Sequence, residues 1–217
     1  MKYYLTFLIL AILTALGCKK ENHNGVDPGL QNAYSFPKGT YWIYKDSLSG
    51  DIDSFFVTDN SLVSVATNDG LNDHIFMAIS ENSEYRSKIE TSQWQLLLNL
   101  SEIDLYWIQR NATPISHADY SYSPLAFYPF VVASSLSGEH YIATVIQNFN
   151  TYTVGSNTFN KVTLINDTLF GTPNSSDPYM NDWLYLSDGI GIIKMHLYHP
   201  QDTLDRIWEL QRWHIVK

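Results

Sequence analysis

Along much of this chain apolar and polar residues alternate at a period of two, in short runs separated by turn-forming residues. Trp94, Leu96, Leu98 and Leu100 alternate with Gln93, Gln95, Leu97 and Asn99. That alternation predicts a strand with its tryptophan face buried. Tyr41–Tyr44, Ser54–Thr58, Leu62–Thr67 and His74–Ser80 are rich in aromatic and β-branched residues and predict four further strands. Ser49-Gly50-Asp51 and Asn68-Asp69-Gly70 are the turns expected between them. Residues 101–110 carry two signals. Ser101 and Asp104 have the spacing of a helix cap, whereas Tyr106-Trp107-Ile108 argues for a strand, which we favour. Asn111–Pro124 reads as a long loop. Tyr141–Ile146, Phe159–Ile165, Trp183–Leu186, Ile190–Tyr198 and Arg206–Val216 complete the set, with turn signals at 154–157, 171–178 and 199–202. About ten strands at such spacings predict an all-β fold. The expected form is an antiparallel meander forming a barrel or half-barrel, with a β-sandwich as the alternative.

Two local patterns refine this. In the last run Trp208, Leu210 and Val216 fall on one face, and Ile207, Trp213 and Ile215 on the other. A strand apolar on both faces is expected inside a sheet, not at its edge. Asp188-Gly189 permits a positive φ at a turn, and Gly191 within a strand pattern predicts a bulge or a close backbone approach.

The first residues depart from the period of two. Lys2 precedes an apolar stretch from Tyr3 to Leu16, broken only by Thr6 and Thr14, and then come Gly17 and Cys18. This is the layout of a secretory signal peptide. The apolar run falls short of the ~20 residues a membrane-spanning helix needs. Ala15-Leu16-Gly17-Cys18 resembles the lipobox of bacterial lipoproteins, although Ala15 and Leu16 depart from its preferred order. The resemblance implies cleavage before Cys18 and lipidation of its thiol. Several acyl chains hold a protein on a membrane where one does so only marginally. Lys19, not Asp, follows the cysteine, which by the same resemblance favours the outer membrane of a Gram-negative envelope; Lys19-Lys20-Glu21 leaves the face open. Residues 19–33, with Gly25, Pro28 and Gly29, read as a flexible tether of roughly 20 Å reach. The expected organisation is a signal peptide over 1–17, a lipidated cysteine and tether over 18–33, and a single all-β domain over 34–217.

Composition narrows the partners. Cys18 is the only cysteine, so lipidation leaves no disulfide and the core must carry the stability. Net charge is −9, and loss of Lys2 with the signal peptide would take it to −10. Such a surface repels nucleic acid and anionic membrane, which makes both poor partners. Charged residues make up only 16% of the chain and aromatics 14%, which suits an extracytoplasmic β-protein better than a helical bundle.

The chemistry-bearing residues form no recognised constellation. His196 and His199, three apart on a strand, point to opposite faces and do not chelate one ion. Asn68–Asp73 offers oxygen ligands that suit calcium, but also what a tight turn wants, and lacks the spacing of an EF-hand. No Gly-x-Ser-x-Gly elbow is present, and Gly189-Ile190-Gly191 lacks the third glycine of a dinucleotide loop. Glu139, beside His140, and Glu209 are available carboxylates, more readily solvated or paired than catalytic. Tyr120, Tyr122, Phe127 and Tyr128 are candidates for an exposed aromatic surface suited to sugars or proteins. No cofactor is expected.

Three stretches together resemble a loosely related group of uncharacterised bacterial lipoproteins: Phe36–Tyr44, Tyr152–Gly155 with Phe159 and Val162, and Gly189–Lys194 with Trp208-Glu209-Leu210. The resemblance implies a secreted all-β domain and carries no activity. The expected role is a membrane-anchored, non-catalytic binding or accessory module, with a glycan, an apolar ligand or an envelope protein as partner. An enzyme with a dispersed site and a purely structural envelope protein are the alternatives.

Overall fold

Most consecutive strands pair antiparallel, and the result is one long sheet. The computed structural model describes residues 23–67, 70–83, 91–99, 102–110, 120–137, 141–170, 178–199 and 204–217. Within them the strands are β1 (His23–Asn24), β2 (Tyr41–Asp46), β3 (Ile52–Thr67), β4 (Gly70–Ser83), β5 (Thr91–Asn99), β6 (Glu102–Arg110) and β7 (Tyr120–Phe127). They continue as β8 (Ser135–Ser137), β9 (Tyr141–Val154), β10 (Asn157–Phe170), β11 (Pro178–Ser187), β12 (Gly191–His199) and β13 (Leu204–His214). The order across the sheet is β7-β6-β5-β4-β3-β2-β13-β12-β11-β10-β9-β8. Two sequential meanders, β2–β7 and β8–β13, thus join where the first long strand meets the last. The sheet coils until β7 lies against β8, β9 and β10, without a ladder between them. The fold is all-β, as the alternation predicts, and the sheet is not closed. No helix of the described residues is long and apolar enough to cross a membrane.

The inner face carries Trp42, Tyr44, Val57, Ile75, Met77, Leu98, Ile103, Val145, Ile165, Leu184, Ile193 and Leu210, all buried. Bulges keep it apolar where the sequence alternation breaks. Leu210 pairs with Tyr44 and Arg212 with Ile43, so Gln211 is an extra residue. It moves Trp213 onto the side of Leu210, where it meets Phe159 at 5.3 Å between ring centroids. The bulge thus accounts for the apolar residues after it in the two-faced pattern, while Ile207, before it, stays on the outer face opposite His196. β13 still lies inside the sheet, between β12 and β2. Thr58 is likewise skipped between Val57 and Asp59 in pairing with β4, and β3 continues through it. The two strands expected over Ser54–Thr58 and Leu62–Thr67 are thus one.

Three other expectations change. Tyr120–Pro124 is not loop: it belongs to β7, in register with β6. Residues 111–119 lie outside the described residues. Asn68 and Asp69 do too, while Gly70–Asp73 opens β4. Residues 23–33, read from the sequence as part of a flexible tether, instead carry a short strand and most of a helix. β1 pairs in parallel with β4 at Leu71 and Asn72. Helix α1 (Pro28–Tyr34) then buries Leu30, Ala33 and Tyr34. Asp27 caps it, its Oδ1 accepting from the Gly29 and Leu30 amides at 2.8 and 3.0 Å. Pro28 begins the helix, where its missing N–H costs nothing. A seven-residue helix is unstable alone. Burying Leu30 and Tyr34 supplies about 1.5–3 kcal/mol each.

α1 docks at the end of the sheet where β11 turns into β12. The Gly189 amide donates to the Ala33 carbonyl at 2.9 Å, and Tyr34 Oη donates to Asp188 at 3.0 Å. Gly191, at φ +94°, is a close approach of the expected kind: a Cβ there would stand 3.3 Å from the Phe36 ring.

Candidate functional site

Alternation that points Leu184 and Leu186 inward turns Trp183 and Tyr185 to the outer face of β11. The register sets His196 of β12 opposite Trp183, and Lys194 opposite Tyr185. Glu209 of β13 follows Lys194 in the same row. Asp205 and Tyr198 face each other one row beyond His196. A strip of aromatic and ionisable side chains thus crosses three strands on the outside of the sheet.

Its geometry is ordered. The Trp183 and His196 rings stack at 5.0 Å between centroids, 24° from parallel. His196 Nε2 is 2.8 Å from Asp205 Oδ1, a bond whose donor depends on the tautomer. Lys194 Nζ donates to Glu209 Oε1 at 3.1 Å and lies 6.0 Å from the Tyr185 ring centroid. Tyr185 is 4.8 Å from Tyr152, and Tyr152 is 5.1 Å from Phe149, which extends the aromatic surface onto β9. Burial holds the Tyr185 hydroxyl above its ordinary pKa, helped by a hydrogen bond to Tyr152 and opposed by Lys194. Beside Trp183, Asn166 Nδ2 donates to Asn181 Oδ1 at 2.7 Å and to the Asp182 carbonyl at 3.2 Å. The members are half-buried, with Tyr198 and Asp205 exposed. Cross-strand pairs of these kinds stabilise a sheet by about 0.2–1 kcal/mol each. They also leave flat rings beside fixed donors and acceptors at a surface.

The residues singled out from sequence disperse. Cys18 lies outside the described residues, as do Glu139 and His140. His196 pairs with Asp205. His199 is in β12, paired in register with Leu204. Asp73 is not a loop ligand but a buried β4 residue, accepting from Ser64 Oγ at 2.6 Å. Glu209 is held by Lys194. Tyr120 and Tyr122 are strand residues of β7. Tyr128 is half-buried, 5.6 Å from Phe130, and its ring abuts Gly29 of α1; Phe127 is exposed. The expected aromatic loop is therefore not assembled around Tyr128, whose ring packs over the helix. Among the described residues no three His, Cys, Asp or Glu side chains stand together as a metal set.

The strip itself escaped sequence reading because its members come from three strands. One signal was present: Trp183 and Tyr185 alternate with Leu184 and Leu186, which places two aromatics on the side away from the core.

A second cluster is structural. Asp46, fully buried at the end of β2, accepts from Arg206 Nη1 at 2.5 Å, Ser49 Oγ at 2.8 Å and the Leu48 amide at 3.0 Å. The Ile207 amide also reaches it, at 3.3 Å. Burial alone would raise its pKa; the hydrogen bonds, led by Arg206, outweigh burial and lower it from 3.8 to about 2. This carboxylate ties the β2–β3 turn to β13.

No protein-family model matches the chain, and no curated protein matches it. Two solved structures are similar to it. One, from Bacteroides fragilis NCTC 9343, is of a protein provisionally called exported, with a YmcC-like fold. It is 10% identical, covers 84% of this chain and 99% of its own, and gives a TM-score of 0.48. The other, from Parabacteroides distasonis ATCC 8503, is of a protein provisionally called a lipoprotein. It is 11% identical over 84% of this chain and 99% of its own, with a TM-score of 0.42.

Proposed function

We propose that this protein is a lipid-anchored envelope lipoprotein, held at Cys18 in the outer membrane, whose β-domain is a non-catalytic module binding a neutral glycan. The anchor rests on the apolar run from Tyr3 to Leu16 followed by Gly17-Cys18. Lys19 after the cysteine supports the outer membrane.

One observation carries the binding reading: Trp183 and Tyr185 stand two residues apart on the outer face, flanked by the His196–Asp205 and Lys194–Glu209 pairs. A pyranose offers an apolar C–H face to a flat ring and a rim of hydroxyls to neighbouring donors and acceptors. Aromatic rings with polar surroundings meet both demands. The acidic chain, at −9, disfavours polyanionic saccharides. The His196–Asp205 hydrogen bond and the Lys194–Glu209 ion pair hold the flanking polar side chains in fixed orientations, which lowers the ordering cost of binding.

Titration of the full-length protein against a panel of neutral oligosaccharides by calorimetry tests this. Saturable binding is expected, weakened about tenfold or more by Trp183→Ala, with no comparable loss in a Phe127→Ala control. A panel without binders, or binding indifferent to Trp183, refutes the glycan reading. Mass spectrometry of the protein from its own membrane tests the anchor separately: a diacylglyceryl adduct on Cys18 is expected, and an unmodified thiol refutes it.

A further inference from the structure

The connection from β7 to β8 breaks two local rules at once. Loops are ordinarily polar, yet residues 127–133 read Phe-Tyr-Pro-Phe-Val-Val-Ala, and no charged residue occurs between 120 and 138. Phe127, Pro129, Val131, Val132 and Ala133 are exposed, Val131 at 61% and Val132 at 50%. Residues 131–134 form a tight turn, closed by the Ser134 amide donating to the Val131 carbonyl at 2.9 Å. Within it Ala133 holds φ at +67°, where glycine or asparagine is the unstrained choice. Departures of this kind concentrate where function, not folding, selects the residue.

The turn is fastened to β9. The Ala133 amide donates to the Val145 carbonyl at 2.8 Å, and the Val145 amide donates to the Ser134 carbonyl at 2.9 Å. Asn148 Nδ2 donates to the Phe130 carbonyl at 2.9 Å. Pro129 has no N–H to satisfy. Five backbone groups of residues 130–134 are thus paired within the protein, while the valines face outward.

The N-terminal chain arrives at the same place. The Tyr128 ring abuts α1, where a Cβ on Gly29 would stand 2.8 Å from its Cε1. Phe130 packs edge-on to Tyr34, 5.8 Å between centroids. Cys18 precedes Gly29 by eleven residues, an extended span of at most about 40 Å. The point of lipid attachment is held within that reach of the apolar turn.

We infer that residues 127–133 are a membrane-docking surface, with the Val131-Val132 corner seated in the headgroup boundary of the leaflet that holds the acyl chains. The inference rests on the lipid anchor at Cys18 and adds a second, apolar contact to it. Backbone pairing favours the bilayer as occupant: an apolar medium penalises unpaired N–H and C=O groups and spares paired ones. Apolar faces bury to about 5–10 Å at that boundary, a depth that suits a turn. The acidic chain repels an anionic surface, and an uncharged stretch is the part of it best able to approach lipid. The competing occupant is a second copy of the chain.

The test uses the full lipidated protein in vesicles of phosphatidylethanolamine and phosphatidylcholine. With Cys18 acylated, Val131→Cys or Val132→Cys supplies a single free thiol for a polarity-sensitive fluorophore. Leu48→Cys, 61% exposed in the β2–β3 turn, is the control. Nitroxide-labelled lipid should quench both labels of the 131–134 turn several-fold more than the control, with a blue shift there alone. Equal quenching at the two turns, in protein that floats with the vesicles, overturns the docking and leaves the anchor standing. Protein that does not float removes the anchor and the docking with it. Crosslinks between copies of the Val131→Cys variant, with no lipid quenching, overturn the docking in favour of pairing between copies.

Discussion

Asp46→Asn isolates the electrostatic lock between the first long strand and the last. The side chain is fully buried, and its two oxygens take four donors. Asparagine keeps an Oδ1 able to accept from the Leu48 and Ile207 amides. It places an NH₂ where Arg206 and Ser49 now donate, and the guanidinium faces a donor in place of an acceptor. Removing one member of a buried ion pair costs about 3–5 kcal/mol. Arg206 retains Asp51 at 3.2 Å, which lowers that figure. About 2–3 kcal/mol is expected, or about 4–12 °C in melting temperature at ~2–4 °C per kcal/mol for a chain of this size. The pH dependence provides a second reading. The folded carboxyl titrates at about 2 against 3.8 unfolded, so the unfolded state binds the proton first and acid destabilises the fold. The contribution is complete above pH 3.8 and lost as pH falls through about 2. At 1.36 kcal/mol per unit it amounts to about 2 kcal/mol. Thermal melts of parent and variant between about pH 6, roughly two units above the window, and about pH 2, its acid edge, measure both effects. The parent should lose stability more steeply over the acid range than Asp46→Asn. A variant melting within about 2 °C of the parent at neutral pH, or with the same acid slope, refutes the lock.

Two further expectations concern the core. Gly191→Ala combines a φ of +94° with a Cβ 3.3 Å from Phe36, whereas Gly155, at φ +56°, has nothing within 4 Å of the same atom. Gly191→Ala should cost about 1–3 kcal/mol and exceed Gly155→Ala in a paired denaturant titration; the reverse order would show that no close approach exists. Tyr34 and Tyr44 are held above the ordinary value of 10.0, first by burial and then by Asp188 and Asp53 respectively. Their contribution is full below pH 10 and lost as pH rises above it. Tyr44→Phe loses a 2.7 Å bond to the Ile192 carbonyl, about 1 kcal/mol at neutral pH, and should flatten the alkaline decline; an unchanged decline by circular dichroism contradicts the assignment.

Strand type was legible where aromatic and β-branched residues cluster, as at Tyr41–Tyr44 and Phe159–Ile165. It was obscured where one residue is inserted. Gln211 and Thr58 each shift the alternation, so the last strand reads as two-faced and β3 reads as two strands. α1 was hidden for another reason. Its seven residues are too few to show a period, and Pro28-Gly29 reads as a breaker, although Asp27 before Pro28 is a capping signal. The strip was invisible as a unit because Trp183, His196 and Asp205 are neighbours only through the register of β11, β12 and β13. No local pattern encodes that register, which depends on loops between the strands and on the bulge between Tyr185 and Leu186.

The meeting of β2 and β13 has a consequence in time. Within each meander every strand pairs with one just before or after it, so each half is built from short-range contacts that form early. The junction between the halves pairs Tyr41 with His214 and waits for almost the whole chain. A polypeptide delivered N-terminus first therefore holds the β2 edge open, Trp42 and Tyr44 included, until the last residues arrive. Closing that loop carries the largest entropic cost in the fold. The interval before it closes is the period in which the chain is most exposed to aggregation and proteolysis, and in which a chaperone holdase would have the most to protect.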